Sequence, residues 1–220
     1  MYLLDSDAAR KLCQYLLLDE FAGSLDCSFR DFAILPQLKF QLAIQHDQKA
    51  LKKLGSREAV LLAQALICAA VEINLTPDAA NNLLQMDRPD IDSGEAVLFA
   101  ALSQGNDDKM VSGDKRAYIA LSGIEGHPVV DALWPRLICL EEAVLLILRR
   151  YPFELISDRV RARSDVDISM RMAFGSSAAN SQQAVTQALE SYLGDLRRST
   201  NGKYRSFSDP HPSERLAGQS

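Results

Sequence analysis

Several acids in this chain stand where short apolar runs stop. Met1-Tyr2-Leu3-Leu4 halts on Asp5, with Ser6 and Asp7 behind it; Met110-Val111 passes through Ser112-Gly113 to Asp114; and Asp92-Ser93-Gly94-Glu95 opens the apolar run Ala96 to Leu102. An apolar run ending on an acid, just before a helix-starting residue, is the pattern of a buried strand that delivers a carboxylate to a sheet edge. Carboxylates gathered from separate segments repel one another, and a divalent cation is the usual remedy, oxygen ligands selecting magnesium or manganese. Asp5, Glu95 and Asp114 are therefore candidate catalytic acids and metal ligands. Each also has a purely structural explanation: Asp92 and Glu95 have capping-box spacing, Asp114 stands where a helix cap would, and Asp5 could close a turn.

Other reactive residues offer less. Cys13, Cys27, Cys68 and Cys139 are far apart with no Cys-x-x-Cys pair, which fits buried thiols rather than zinc or redox chemistry. His46, His127 and His211 are isolated and fit loop or surface positions.

The elements that must position the acids alternate between strand and helix patterns. A strand at the start runs into a helix over Ala8 to Phe21, and Phe32 to Pro36 forms a second strand closed by proline, followed by a helix over Gln37 to Leu54. A helix over Ser56 to Asn74 follows, then a short one capped by Thr76. Asp92 leads a helix, Lys109 to Ser112 a strand, Asp114 to Leu121 a helix, and Pro128 to Val130 a last short strand. This alternation predicts an α/β fold with a parallel sheet covered on both faces, whose carboxyl edge is where ligands bind.

With 220 residues, 47% of them hydrophobic and 24% charged, the chain is long enough for a full core. No signal peptide is readable and no apolar run reaches the roughly 18 to 20 residues of a bilayer span, so a cytoplasmic location and no membrane are expected. Residues 1–135 hold 12 Lys or Arg against 19 Asp or Glu, while residues 136–205 hold 11 against 8. An acidic body argues against broad duplex binding, which depends on many phosphate neutralisations, but permits a metal site touching few phosphates.

Taken in order, Leu3-Leu4-Asp5-Ser6-Asp7, then Ile34-Leu35-Pro36 with a helix behind, then Gly94-Glu95-Ala96, then Ser112-Gly113-Asp114-Lys115-Arg116-Ala117 resemble the landmarks of the PIN domain, a family of metal-dependent ribonucleases. The similarity is closest to the branch whose third landmark is Gly-Glu-Ala, and it covers about residues 1–135. It implies a three-layer α/β/α sandwich with about five parallel strands, an acidic cluster holding Mg²⁺ or Mn²⁺, and hydrolysis of single-stranded RNA, by a toxin of the toxin–antitoxin kind or an RNA-processing enzyme. Asp5, Glu95 and Asp114 would then be the first, third and fourth acids, with Ser6, Asp7 and Asp92 in support. The family's second acid falls where this chain has Gln41, which keeps an oxygen and loses the charge. Lys115 and Arg116 are candidate phosphate contacts, with a solvated helix start as the structural alternative.

Beyond residue 135 the resemblance stops. Leu137 to Arg150 has the pattern of one helix with Glu141, Glu142, Arg149 and Arg150 exposed, Arg159 to Arg163 that of a solvated or salt-bridged face, with an RNA or protein contact as the alternative, and Gln182 to Leu196 that of an amphipathic helix. This divides the chain into a PIN-like domain (1–135), a helical extension (136–198) and a tail over 199–220 whose composition predicts disorder. The extension offers a surface for a protein partner, and a homo-oligomer is compatible with the reading. The main alternative is a PIN scaffold with a weakened site that binds RNA or protein. A further one is a phosphatase similar to haloacid dehalogenases, from the Asp-x-Asp spacing of Asp5 and Asp7.

Overall fold

The computed structural model describes residues 1–84 and 89–206. Five strands form one sheet: β1 (Tyr2–Leu4), β2 (Phe32–Ile34), β3 (Val71–Glu72), β4 (Lys109–Ser112) and β5 (Leu137–Cys139). Their order is β3-β2-β1-β4-β5, and every neighbouring pair is parallel. β2 and β5 are apolar and fully buried, without polar alternation, because both faces of the sheet are covered there.

Strand residues sort strictly by side. Leu4, Phe32, Ile34, Val111 and Ile138 enter one core, whereas Leu3, Ala33, Met110, Leu137 and Cys139 enter the other. Against the first face lie α1 (Ser6–Gln14), α2 (Leu18–Ser24), α4 (Asp47–Leu54), α5 (Arg57–Ala69), α10 (Leu140–Leu148), α11 (Phe153–Ala162) and α12 (Ile168–Phe174). Against the second lie α6 (Pro77–Leu84), α7 (Ser93–Gln104), α8 (Lys115–Ser122) and α9 (Pro128–Asp131). The one-turn α3 (Leu38–Gln41) follows β2. The result is a mixed α/β protein with helices on both sides of a parallel sheet, as the strand and helix patterns predict.

The last helix, α13 (Gln182–Ser199), belongs to both cores. Val185 and Leu189 join the first and Leu196 the second, and Leu193 touches each. It therefore passes around an edge of the sheet, and Tyr204 identifies which: its hydroxyl accepts the backbone N–H of Cys139 in β5 at 3.0 Å. That contact covers an outer strand whose amides would otherwise be open to pairing with another chain.

Five sequence expectations need correction. Pro128 to Val130 is helical, with Pro128 at the first helical position; the fifth strand is Leu137–Cys139, inside what reads as a helix over Leu137 to Arg150. Short apolar runs fit either state, and only pairing to β4 decides. A domain boundary at residue 135 therefore severs the sheet, and residues 136–198 share its cores. Glu141 and Glu142 are buried, not exposed, at 3% and 1%. The expected helices over 8–21, 37–54 and 56–74 are each interrupted, the first two by left-handed turns at Leu16 and Ala43 and the third by β3. Residues 200–206 are not disordered: Thr200 and Tyr204 are buried, and Tyr204 donates to Glu142 Oε2 at 2.5 Å. The expectation for 207–220 lies outside the described residues, as does that for His211.

The remaining expectations have simple outcomes. Cys13 and Cys139 are buried, Cys27 is partly so and Cys68 is exposed. The arginines of α11 and the turn after it are salt-bridged and hydrogen-bonded, Arg159 to Glu20 and the Leu16 carbonyl, and Arg163 to Asp165 and the Leu54 carbonyl.

Candidate active site

The chain runs outward from β1 to β2 and β3, then returns to lay β4 on the other side of β1. The carboxyl ends of β1 and β4 thus lie side by side at the point where strand order reverses, the usual ligand position in parallel sheets. There a cleft of about 700 Å³ opens, with Asp5, Asp7, Asp92, Glu95 and Asp114 on its walls, together with Ser6, Gln41, Arg10 and Lys53.

Asp5 leaves β1 with its amide bonded to the Val111 carbonyl at 2.9 Å, and its carboxylate caps α1 through the Asp7 amide at 3.3 Å. Ser112, at the end of β4, donates to that carboxylate at 3.3 Å and accepts the Asp114 amide at 3.1 Å. One hydroxyl therefore ties the two strand ends together. Gly113 between them lets Asp7 approach: a Cβ there would lie 2.3 Å from Asp7 Oδ2. Burial, and then the charge of Asp7, pushes the Asp5 carboxyl up to about 6, against hydrogen bonds that lower it.

Glu95 enters from α7 through the capping box that the spacing predicts. The Asp92 carboxylate accepts the Glu95 amide at 2.8 Å, and Glu95 Oε2 accepts the Asp92 amide at 2.9 Å. The structural explanation for this pair is correct, and Glu95 still lines the cleft. Burial and the charges of Asp92, Asp114 and Asp5 raise its carboxyl to about 7, while the hydrogen bond from the Asp92 amide works against them.

Asp114 caps α8 and holds Arg116, with Arg116 Nη2 at 2.5 Å from Oδ2 and the Arg116 amide at 2.9 Å from Oδ1. The Arg116 hydrogen bond keeps the Asp114 carboxyl below its ordinary range. Arg116 is otherwise exposed, its side chain at 88%. Lys115 is occupied elsewhere: it donates to Glu141 at 2.6 Å and lies 5.4 Å from the Tyr192 ring centre. Gln41 lies on the cleft wall and is exposed, its backbone carbonyl accepting from Lys53. Ser6 Oγ is buried in the cleft wall with no hydrogen-bond partner.

Asp7 is bound by Arg10 and by Lys11, the latter at 2.8 Å. Lys11 also reaches Asp167, the cap of α12, at 2.7 Å, so the C-terminal helices are ionically joined to the cleft wall. Burial alone would lower the Lys11 pKa, but hydrogen bonds to Asp167 and Asp7 outweigh it and the net shift is upward.

Sequence reasoning missed Arg10 and Lys53 as cleft residues, and Ser112 as the buried hydroxyl that holds Asp5. Arg10 was readable, since it stands three residues after Asp7 on one helix face. Ser112 precedes a residue already singled out. Lys53 was not readable, because only the turn at Ala43 brings α4 to the cleft.

The donors here are carboxylate, amide and hydroxyl oxygens, the set that a hard divalent ion takes. Among the described residues no three His, Cys, Asp or Glu side chains already stand close enough to form a ligand shell. In this arrangement Asp114 is held by Arg116 and Glu95 by the Asp92 amide. The residues fit such an ion in kind. No family model, curated protein or solved structure matches the chain. No described helix is long and apolar enough to cross a membrane.

Proposed function

We propose that this chain is a PIN-like, Mg²⁺- or Mn²⁺-dependent ribonuclease that hydrolyses phosphodiester bonds of single-stranded RNA, with Asp5, Glu95 and Asp114 as the metal ligands. The observation that carries this reading is that acids from three separate segments line one cleft at the strand-order reversal of a five-stranded parallel sheet. A bound ion would polarise the scissile phosphate and lower the pKa of an attacking water. The chain's own contribution is positional. Asp5 is fixed by the Asp7 amide and by Ser112, and Glu95 by the Asp92 amide, so two carboxylates are preorganised. Lys53 on the wall, which no described carboxylate pairs, would supply positive charge for the phosphate oxygens.

Gln41 favours a second reading, a weakened scaffold that binds RNA or protein. It leaves the cleft one charge short of the family pattern, and the Arg116 clamp on Asp114 takes another carboxylate out of play. The phosphatase reading is less well supported, because Asp7 is neutralised by Arg10 and Lys11.

Manganese calorimetry on wild type and Asp5→Asn, with a single-stranded RNA cleavage assay on the same samples, separates the first two. Binding and cleavage that both vanish in the variant are expected. Binding without cleavage supports the scaffold, and no binding by wild type removes the metal reading.

A further inference from the structure

Beside the acidic cleft is a smaller hollow of about 310 Å³ with no acid among its lining residues. Lys39, Phe40, His46, Lys49 and Lys53 face it, and Lys53 lines the acidic cleft as well, so that side chain borders both hollows. The hollow exists because α3 is only one turn long. Its left-handed exit at Ala43 turns the chain back, and α4 then presents Lys49 and Lys53 on one face, four residues apart. Like charges at that spacing repel, and no carboxylate pairs with Lys49 or Lys53 among the described residues.

Phe40 is the one exposed Phe, Tyr or Trp among the described residues, at 61%. Lys39 lies 5.5 Å from its centre and 3.1 Å from Glu72, which holds that lysine along the rim. An isolated exposed ring is ordinary; one that shares a hollow with two lysines no described carboxylate pairs, next to a carboxylate cleft, has the composition of a single-strand site, with ring for base and ammonium for phosphate.

We infer that the hollow between α3 and α4 is the track for nucleotides flanking the scissile bond of a single-stranded nucleic acid, with Phe40 stacking a base and Lys49 and Lys53 neutralising phosphates. This rests on the nuclease reading of the adjoining cleft. It also relocates strand binding away from Lys115, which is committed to Glu141.

The test is fluorescence anisotropy with a labelled oligouridylate on the full chain in EDTA, where nothing can be cleaved. Variants are Phe40→Ala, Lys49→Ala and, as a control on the same helix outside the hollow, Lys52→Ala. All three positions are exposed, and far-UV circular dichroism checks each fold. Phe40→Ala is expected to weaken binding about tenfold, the range for losing one stacked base. Lys49→Ala should flatten the slope of log K against log salt by about 0.7, the value for one phosphate on a single strand. Lys52→Ala should bind as wild type. Wild-type affinity in both Phe40→Ala and Lys49→Ala overturns the inference, as does equal competition by an abasic oligonucleotide. Competition by an acidic peptide with no dependence on Phe40 overturns it in favour of a protein partner. Phe40-dependent binding by a protein that never cleaves RNA in manganese upholds the track while removing the nuclease.

Discussion

Asp5 and Glu95 carry a cost in the cation-free protein. Their carboxyls are raised to about 6 and about 7, so the folded state holds those protons more tightly than the unfolded chain. The resulting contribution to stability is full below the ordinary carboxylate range and is lost as pH rises through 6 and 7. Asp5→Asn and Glu95→Gln, which keep a hydrogen-bond acceptor and remove the charge, should therefore melt above wild type in EDTA at pH 8, the gap closing toward pH 4. Differential scanning calorimetry reads this directly, at about 2–4 °C per kcal/mol for a chain of this size. A variant that gains stability while losing cleavage is the signature of a site strained for its ligand. Equal melting at both pH values would show that the two carboxyls are not under that strain. At this scale the sequence was most legible: each acid singled out from its position at a strand end or a helix start lines the cleft. What it did not disclose was the company they keep, since the Arg116 clamp on Asp114 and the Ser112 bridge are side-chain choices that no spacing specifies.

Helix ends were the least legible part of the chain, for one physical reason. The α-helices α1, α2, α3 and α13 all close through a left-handed residue that is not glycine: Leu16, Asp26, Ala43 and Asn201, with φ of 57°, 52°, 56° and 53°. Each shows the paired bonds of a Schellman ending, as in Ile44 N–H to the Lys39 carbonyl at 3.1 Å and Ala43 N–H to that of Phe40 at 3.0 Å. Without glycine the stop signal is absent, so 8–21 and 37–54 read as unbroken helices. Ala43→Gly should relieve the left-handed penalty, about 1–2 kcal/mol for a residue with a Cβ, less the roughly 0.5–1 kcal/mol of added chain entropy. A higher urea midpoint with unchanged slope is the expected result, and a lower midpoint would show that the turn carries no such penalty. Helix starts were legible by contrast, because Ser56, Asp92 and Ser181 each cap where their residue type predicts.

For the whole molecule, a division at residue 135 into one domain and a helical extension does not describe how the chain is built. Its fifth strand and the helix that seals it come from beyond residue 135. Glu142 at the heart of this region is buried and accepts from both Tyr204 and Ser206, while Tyr118 and Tyr204 stack at 5.9 Å. Tyr204→Phe keeps the ring and removes the hydroxyl from Glu142 and from the Cys139 amide. It should cost about 1–3 kcal/mol, the penalty for orphaning buried polar groups, measured as a lower urea midpoint. No loss would mean that water replaces the hydroxyl. The sequence hid this because serine, glycine and charge dominate the stretch, and a single tyrosine does not offset them in any compositional reading.

The Tyr204 clasp also sets a clock on biosynthesis. The Cys139 amide and the hydroxyl that covers it are 65 residues apart. At about 5–20 residues per second, a ribosome needs roughly 3–13 s to make the second after the first. During that interval the outer strand of the nascent sheet has no cover from its own chain. A folding helper that acts on this protein should meet it then, on an arrested chain that stops short of Tyr204, and let go once the clasp has closed.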